Sequence, residues 1–203
     1  MSLAAPVYPP IIGLYAAAPG SGKSSIACTL LLEADYVILP FADPVKAMAI
    51  TLLRNLGYDE AEAAQWVYTR KADVLPELGV TIRHILQTLG TDWGRCLIHK
   101  DIWLRTWVGR YNELIIENPD TLVVVDDVRF PEEADFLRAL NSETQIVQVT
   151  RPDMATPERV ISHASEGALR DYVFDYTIVN DGSLYDLNEA VDAYLRGTAL
   201  VAA

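Results

Sequence analysis

Residues 18–25, with the sequence Ala-Pro-Gly-Ser-Gly-Lys-Ser-Ser, restrict the fold of this chain more than any other segment. They follow the apolar run Ile-Ile-Gly-Leu-Tyr at residues 11–15 and lead into a helix-forming stretch at residues 24–33. A phosphate-binding loop typically shows, in this order, a buried strand, a glycine-rich turn, a lysine, a hydroxyl residue and a helix. The segment therefore predicts a strand, loop and helix unit that holds a polyphosphate.

The loop motif assigns a role to each of its residues. Backbone N–H groups turn inward around the phosphates, and the positive end of the following helix adds to the attraction. Lys23 is expected to reach the β and γ phosphates, and the Ser24 hydroxyl is expected to ligate Mg²⁺. Ala17 replaces the first glycine of the full motif, a change that bears on the entry turn. The predicted phosphate-binding residues are Gly20, Ser21, Gly22, Lys23, Ser24 and Ser25.

Four more apolar segments predict the remaining strands of a sheet. They span residues 36–41, 122–127, 144–150 and 176–179. Apolar strands separated by helical stretches are typical of a parallel sheet covered by helices on both faces. Amphipathic helices are predicted at residues 131–140 and 184–195. A mostly helical insertion, with breaks near Gly57, residues 76–79 and Gly90, separates the second and third strands. The sequence thus predicts an α/β fold with a substrate subdomain in the insertion.

Asp126 and Asp127 end the third predicted strand. In parallel sheets, ligands bind at the carboxyl ends of the strands. An acidic residue at this position approaches Mg²⁺ directly or through water, which resembles a Walker B element. Adjacent strand residues point to opposite faces, so we expect one of the pair to face the metal. Asp126 is the first choice because it adjoins the apolar strand.

Composition narrows the classes of partner. A chain of 203 residues with 51% hydrophobic content is sufficient for one well-cored domain. Its net charge of -12 argues against wrapping duplex DNA or RNA, although small anions need only a few convergent cations. No apolar run approaches the roughly 20 residues that span a bilayer. Residues 1–10 lack the basic and apolar regions of a signal peptide. We expect a cytoplasmic protein without nucleic-acid or membrane partners.

The two cysteines do not form a recognisable site. Cys28 and Cys96 lie far apart and match neither a metal-binding spacing nor a disulfide framework. Both are expected to be small residues of the core, in a reducing compartment.

Several further blocks resemble the phage-type deoxynucleoside monophosphate kinases, within the P-loop nucleotide kinases. They are FADPVK at residues 41–46, TIRHILQTLGTDWGR at 81–95, DIW at 101–103, DDVRFPEEA at 126–134, RP at 151–152, HASE at 163–166 and NDGSL at 180–184. The resemblance covers most of the chain, and several blocks in one order are more specific than the loop alone.

The resemblance implies a three-layer P-loop nucleotide kinase fold in a single domain of residues 1–203. Its core would comprise about residues 11–44 and 120–203, a helical monophosphate-binding insertion about 45–119, and a lid about 152–170. The implied reaction transfers the γ-phosphoryl group of ATP, with Mg²⁺, to the 5′-phosphate of a deoxynucleoside monophosphate. The acceptor is not specified further: dGMP, dTMP and a nucleotide with a modified base are the candidates. A homodimer is possible in such relatives, and the compartment would be the host cytoplasm if the chain is phage-encoded.

Site residues follow from the resemblance. The catalytic set is Lys23, Asp43, Asp126 and Arg129, with Asp43 or an acidic residue of the third strand orienting the acceptor. The acceptor-binding set is Phe41, Asp43, Lys46, Arg83, Gln87, Trp93, Arg95 and Trp103. The ATP-binding set adds Arg151, Arg159 and Asn180 to the loop, and the metal set is Ser24, Asp126 and Asp127.

Several of the predicted acceptor-binding residues have more than one possible role. Gln87 lies four residues after Arg83, so on a helix both side chains share a face, and the amide is suited to reading a base edge. Trp93 and Trp103 either stack on the base or pack the subdomain. Arg129 is expected on the acceptor side or at the transferred group.

Other functions are compatible with a phosphate-binding loop. A dephospho-coenzyme A kinase or an adenylate-kinase-like enzyme would share the donor site and differ in the acceptor pocket. A P-loop switch or ATPase, or a noncatalytic nucleotide-binding protein, would lack a small acceptor. Production of ADP only when a deoxynucleoside monophosphate is added separates the kinase from these last classes.

Overall fold

The central strand of the fold is β1 (Ile11–Tyr15), all five residues of which are buried. The computed structural model describes residues 8–152 and 168–199. Parallel pairing places β5 (Val123–Val125) on one side of β1 and β6 (Gln145–Thr150) on the other. The short strand β2 (Val37–Ile38) and β7 (Tyr176–Val179) complete a sheet in the order β2-β5-β1-β6-β7. The five predicted strands and their parallel arrangement are therefore confirmed.

Two of the strands are shorter than their apolar runs. The Leu39 N–H still donates to the Val124 carbonyl, but Pro40 has no N–H with which to continue the ladder. On β5, pairing ends at Val125, and Asp126 and Asp127 lie in the turn that follows. The alternation expected for two strand residues therefore does not apply to this pair.

Helices cover both faces of the sheet. One core cluster joins Ile12 and Leu14 to helices α1 (Lys23–Ala34) and α7 (Leu184–Ala199). On the other face, α6 (Pro131–Leu140) lies so close to Gly13 that a Cβ there would be 3.2 Å from Leu137 Cδ1. The resulting three-layer α/β architecture confirms the predicted fold class.

The chain forms two compact units. The first comprises the described residues within 1–40 and 113–203, and contains the sheet. The second comprises residues 41–112 and is mostly helical. Its elements are α2 (Asp43–Asn55), α3 (Glu60–Tyr68), α4 (Ile82–Gln87), a π-helix (Thr88–Ile98) and the greater part of α5 (Ile102–Glu117). A hairpin of β3 (Val74–Leu75) and β4 (Val80–Thr81) was not predicted.

The predicted helix breaks have different outcomes. Gly57 and Gly79 lie in turns with φ of 103° and 66°, as expected of glycine. Gly90, by contrast, is inside the π-helix, so the break predicted there is wrong. The core of this unit gathers Leu53, Trp66 and Ile82 from three helices.

Two further sequence predictions concern the surface. Cys28 and Cys96 are both free and exposed, so the prediction that they are core residues is wrong. Cys28 lies on α1 between the buried residues Ala27 and Thr29, at a position that faces away from the core. In the part of the chain that the structure describes, no helix is both long and apolar enough to cross a membrane.

Candidate functional site

The loop between β1 and α1 is shaped by two glycines and a serine. Gly20 and Gly22 have φ of 75° and 102°, in the region that favours glycine. The Ser21 hydroxyl is buried and donates to the Ala18 carbonyl oxygen at 2.6 Å. Ser21 therefore closes the loop with its side chain, and Gly22 provides the N-cap from which α1 begins.

Asn180 supports this loop from the end of β7. It is 6% exposed, and its Nδ2 donates to the Ser21 carbonyl oxygen at 3.0 Å. Its own N–H donates to the Thr150 carbonyl at the end of the neighbouring strand. A Cβ on Gly22 would lie 2.6 Å from Asn180 Nδ2. The residue predicted near the donor base thus contacts the backbone of the loop itself.

Lys23 lies among charges of both signs. Burial lowers the pKa of Lys23, as does the positive charge of Arg129, while Asp126 and Asp127 act in the opposite direction. Burial removes part of the hydration of the lysine, which disfavours its charged form relative to that of a lysine in water. A polyphosphate at the loop would supply the negative charge that favours the protonated ammonium.

A hydroxyl and a carboxylate meet beside the lysine. Ser24 Oγ donates to Asp126 Oδ2 at 3.2 Å, across 102 residues of sequence. These are oxygen ligands of the kind that Mg²⁺ prefers. Within residues 8–152 and 168–199, no three His, Cys, Asp or Glu side chains gather as a ready-made metal site. The Ser24 hydroxyl and the Asp126 carboxylate supply two oxygen atoms, which is part of the octahedral shell that Mg²⁺ takes.

Glu133 orders the turn that carries Arg129. Its Oε2 accepts the N–H groups of Arg129 at 2.8 Å and Phe130 at 3.1 Å, and the residue is 6% exposed. Glu133 is the third residue of α6, the position of a capping-box glutamate. That signal was present in the sequence, but the positioning role was missed. The Arg129 side chain is exposed beyond this turn.

The other predicted donor residues lie near the loop or outside the described chain. Arg151 is exposed, and its Nη1 is 3.5 Å from the Gly20 carbonyl oxygen, at the limit of a hydrogen bond. Arg159, and with it residues 153–167 of the predicted lid, lies outside the described residues.

In the helical unit, Asp43 is the centre of an ionic cluster at the start of α2. Lys46 Nζ donates to Asp43 Oδ1 at 3.1 Å, and Arg110 Nη2 donates to Asp43 Oδ2 at 2.9 Å. Phe41 is buried and packs on Trp107, which stacks on Tyr111. The structure thus brings together the predicted residues Phe41, Asp43 and Lys46. Arg110 was missed, because it belongs to no motif and lies 67 residues from Asp43.

The remaining predicted acceptor residues lie on α4, the π-helix and α5. Arg83 and Gln87 are four residues apart on α4, as expected, and Arg83 is exposed. Trp93 is partly exposed on the π-helix, which also carries Arg95. Trp103 Nε1 donates to the Gly90 carbonyl at 2.7 Å, and its ring lies against Gly94. Of the two roles left open for Trp103, these contacts support packing of the subdomain.

Comparison with known proteins finds one matching family and several relatives. The family described as deoxynucleotide monophosphate kinase matches residues 53–191. A provisionally named deoxynucleotide monophosphate kinase of Acanthamoeba polyphaga mimivirus is 32% identical over 176 residues, which cover 81% of this chain and 86% of that protein.

Two phage enzymes match over shorter stretches. The deoxynucleoside-5′-monophosphate kinase of Escherichia phage T5 is 38% identical over 77 residues, or 38% of this chain and 29% of that enzyme. The deoxynucleotide monophosphate kinase of Escherichia phage RB69 is 29% identical over 116 residues, or 57% of this chain and 45% of that enzyme. Each alignment with a phage enzyme therefore spans less than half of that enzyme.

Proposed function

This chain belongs to the deoxynucleotide monophosphate kinase family, and from that premise we propose how its residues divide the reaction between donor and acceptor. It is a phosphotransferase that uses ATP as co-substrate and acts on deoxynucleoside monophosphates. The γ-phosphoryl group passes from ATP to the 5′-phosphate of the acceptor, which gives ADP and a deoxynucleoside diphosphate. The observation that carries the donor assignment is that Lys23 and Ser24 of the loop lie beside Asp126, which follows β5.

The donor site belongs to the sheet-containing unit. Loop residues 20–25 bind the triphosphate through backbone N–H groups, and Lys23 contacts the β and γ phosphates. Arg151 extends the donor site beside Gly20, and Arg159 is assigned to the donor phosphates. Asn180 contributes through its hydrogen bond to Ser21, which keeps the loop in its binding conformation.

The residues near Lys23 fit Mg²⁺. Ser24, Asp126 and Asp127 would hold the ion, with Asp126 the carboxylate that Ser24 contacts. When bound with ATP, the ion neutralises charge on the phosphates. This assignment rests on the oxygen ligands and their arrangement beside a lysine that a polyphosphate would stabilise in its charged form.

The acceptor site is assigned to the helical insertion, about residues 45–119, together with the residues that lead into it. Phe41, Asp43, Lys46, Arg83, Gln87, Trp93 and Arg95 are its proposed binding residues, and Arg129 is placed at the transferred group. Trp103 is proposed to support this site by packing against Gly90 and Gly94 of the π-helix. Phosphoryl transfer needs little covalent participation by the protein, so catalysis consists of holding donor and acceptor in line and stabilising charge. The acceptor phosphate is already anionic, so no strong base is required.

The base and the biological setting are further parts of the proposal. The acceptor is dGMP, dTMP or a deoxynucleotide with a modified base. The proposed acceptor-binding residues are compatible with more than one hydrogen-bonding edge of a base. We place the reaction in the cytoplasm, where ATP and deoxynucleotides occur together, without nucleic-acid or membrane partners.

A coupled assay of ADP release tests the function. Mg-ATP is supplied with each natural ribonucleoside and deoxynucleoside monophosphate in turn, and ADP is expected only when a deoxynucleoside monophosphate is present. Lys23→Ala should lower turnover by at least about 100-fold, because it removes a charge that stabilises the transferred group. Lys100→Ala, at an exposed lysine of the helical unit, is the matched control and should retain wild-type rates.

Two outcomes contradict the proposal. ADP release that is independent of any acceptor would indicate an ATPase. Wild-type turnover by Lys23→Ala, with a normal circular dichroism spectrum, would refute the donor site.

A further inference from the structure

Charge is unevenly divided along this chain. The helical unit, residues 41–112, holds nine of the sixteen lysine and arginine residues but only eight of the twenty-eight aspartate and glutamate residues. It is therefore nearly neutral, although the whole chain carries -12. An anionic substrate meets less general repulsion at this unit than the net charge indicates.

Within this unit, two cations converge on one carboxylate. Lys46 and Arg110 each donate to a different oxygen of Asp43, at 3.1 and 2.9 Å. The three side chains are 17%, 35% and 27% exposed for Lys46, Arg110 and Asp43 respectively. Partial burial strengthens their interactions relative to those of a fully solvated surface pair.

Aromatic packing places Arg110 at this cluster. Trp107 lies three residues before Arg110 on α5, and its ring is fully buried between Phe41 and Tyr111. The ring centroids are 5.5 Å apart for Phe41 and Trp107 and 5.0 Å apart for Trp107 and Tyr111. Phe41 immediately precedes the α2 segment that carries Asp43 and Lys46. The stack thus joins this turn of α5 to the start of α2.

The charges of the cluster favour an anion. Lys46 and Arg110 together carry two positive charges, and Asp43 carries one negative charge. Two cations held at one carboxylate repel each other, and an additional anion beside them reduces this repulsion. A phosphate monoester suits the pair, since guanidinium and ammonium groups are the usual phosphate ligands of proteins.

We infer that Lys46 and Arg110 form the site for the phosphate of the acceptor nucleotide, and that Asp43 is the positioning residue that holds both cations. This inference rests on the proposed function and adds Arg110 to it. It also changes the role of Asp43. A carboxylate whose two oxygens accept from cations is suited to orienting them, and the acceptor phosphate needs no base.

Kinetics of single variants test the phosphate site. The acceptors tested are dGMP, dTMP, dAMP and dCMP. The KM is measured for each one that the wild-type enzyme phosphorylates. Lys46→Met and Arg110→Met should each raise the KM for the monophosphate by about 10- to 100-fold, the effect of losing a hydrogen bond to a charged group. The KM for ATP should change by less than about threefold, within ordinary mutational variation. Arg110→Lys, which keeps the charge, should show a smaller increase.

Arg105→Met is the matched control. Arg105 is an exposed arginine of the same helix, one and a half turns before Arg110. The substitution is chemically identical and should leave both KM values unchanged. Equal effects of Arg105→Met and Arg110→Met would overturn the inference.

Deoxynucleosides separate a phosphate contact from a general loss of structure. Thymidine and deoxyguanosine share the base and sugar of dTMP and dGMP but lack the phosphate. Their inhibition constants should be the same in wild type, Lys46→Met and Arg110→Met. Parallel weakening of nucleoside and monophosphate would instead assign a structural role and overturn the inference.

Asp43→Asn tests the positioning role. It should raise the KM for the monophosphate more than it lowers kcat, and Asp43→Glu should restore part of the loss. A fall in kcat with an unchanged KM would overturn this assignment and support a catalytic base.

The proposed function and the inferred phosphate site are contradicted by different results. If wild-type protein phosphorylates no deoxynucleoside monophosphate, the proposed function fails, and this inference with it. If the wild type is active and both methionine variants keep its KM for the monophosphate, only the inference fails.

Discussion

Gly22 shows how one missing side chain shapes a nucleotide-binding loop. Its φ of 102° is strained for any other residue, and a Cβ would lie 2.6 Å from Asn180 Nδ2 and 3.3 Å from Leu187 Cδ2. The glycine motif predicts the backbone conformation. The close approach of Asn180, 158 positions further along the chain, has no counterpart in the motif.

Gly22→Ala and Gly57→Ala form a matched pair. Gly57 has nearly the same φ, 103°, but a Cβ there meets no atom within 4 Å. Both variants should lose roughly 1–2 kcal/mol of unfolding free energy through backbone strain. Gly22→Ala should also raise the KM for ATP by about tenfold or more, because displacing Asn180 costs its hydrogen bond to the loop. Denaturant unfolding and steady-state kinetics measure the two effects. An unchanged KM for ATP in Gly22→Ala would contradict the role of Asn180.

The predictability of site residues depends on how local their signal is. Lys23 and Ser24 belong to one short motif, and Asp126 ends an apolar strand, so sequence reasoning finds all three. Arg110 contacts Asp43 on a distant helix, and Glu133 accepts the N–H groups of Arg129 and Phe130. The spacing between Arg110 and Asp43 is set by ring packing in the folded unit, and a sequence pattern does not encode it.

Among the elements, the π-helix (Thr88–Ile98) departs furthest from expectation. Glycine weakens helix propensity, and the sequence predicts a helix break near Gly90. Trp103 explains why the turn continues: its Nε1 donates to the Gly90 carbonyl, and its ring occupies the space beside Gly94. Wide helical turns of this kind are frequent at functional sites, and this one carries Trp93 and Arg95.

Gly94→Ala and Gly109→Ala should have opposite effects on thermal stability. A Cβ at Gly94 would lie 2.3 Å from Trp103 Cζ2 and 2.9 Å from the Leu89 carbonyl oxygen, and such overpacking costs about 1–3 kcal/mol. Gly109 lies within α5 with open space around its Cα, so alanine there should add about 0.5–1 kcal/mol. The shift of Tm in each variant is the measurement. Shifts of the same sign would contradict the packing assigned to Trp103.

At the scale of the whole molecule, charged residues are unevenly divided between the two units. The nearly neutral helical unit contains the proposed acceptor cations, and the rest of the chain carries the excess of acidic residues. On the proposed function, local groups such as Lys23, Lys46 and Arg110 bind the small anions. A polyanion that spans many contacts experiences the net charge of the protein instead.

Duplex DNA therefore provides a test at this scale. Binding of a labelled duplex at physiological salt should be weaker than about 100 µM, the weak end of ordinary nonspecific DNA binding. Fluorescence anisotropy measures it, and titration with an accepted deoxynucleoside monophosphate in the same buffer is the positive control. A dissociation constant near or below about 1 µM, at the strong end of nonspecific binding, would contradict the expectation.

The sequence by itself determined the positions of the five strands of the parallel sheet, the phosphate-binding loop and the family. These follow from local patterns: apolar runs form buried strands, and glycine, lysine and serine at fixed spacing form the loop. The tertiary structure decided which distant side chains complete each site. Asn180 reaches the loop because β7 pairs with β6, and Arg110 reaches Asp43 because three aromatic rings pack together. Such contacts depend on side-chain packing in three dimensions, which local sequence patterns do not specify.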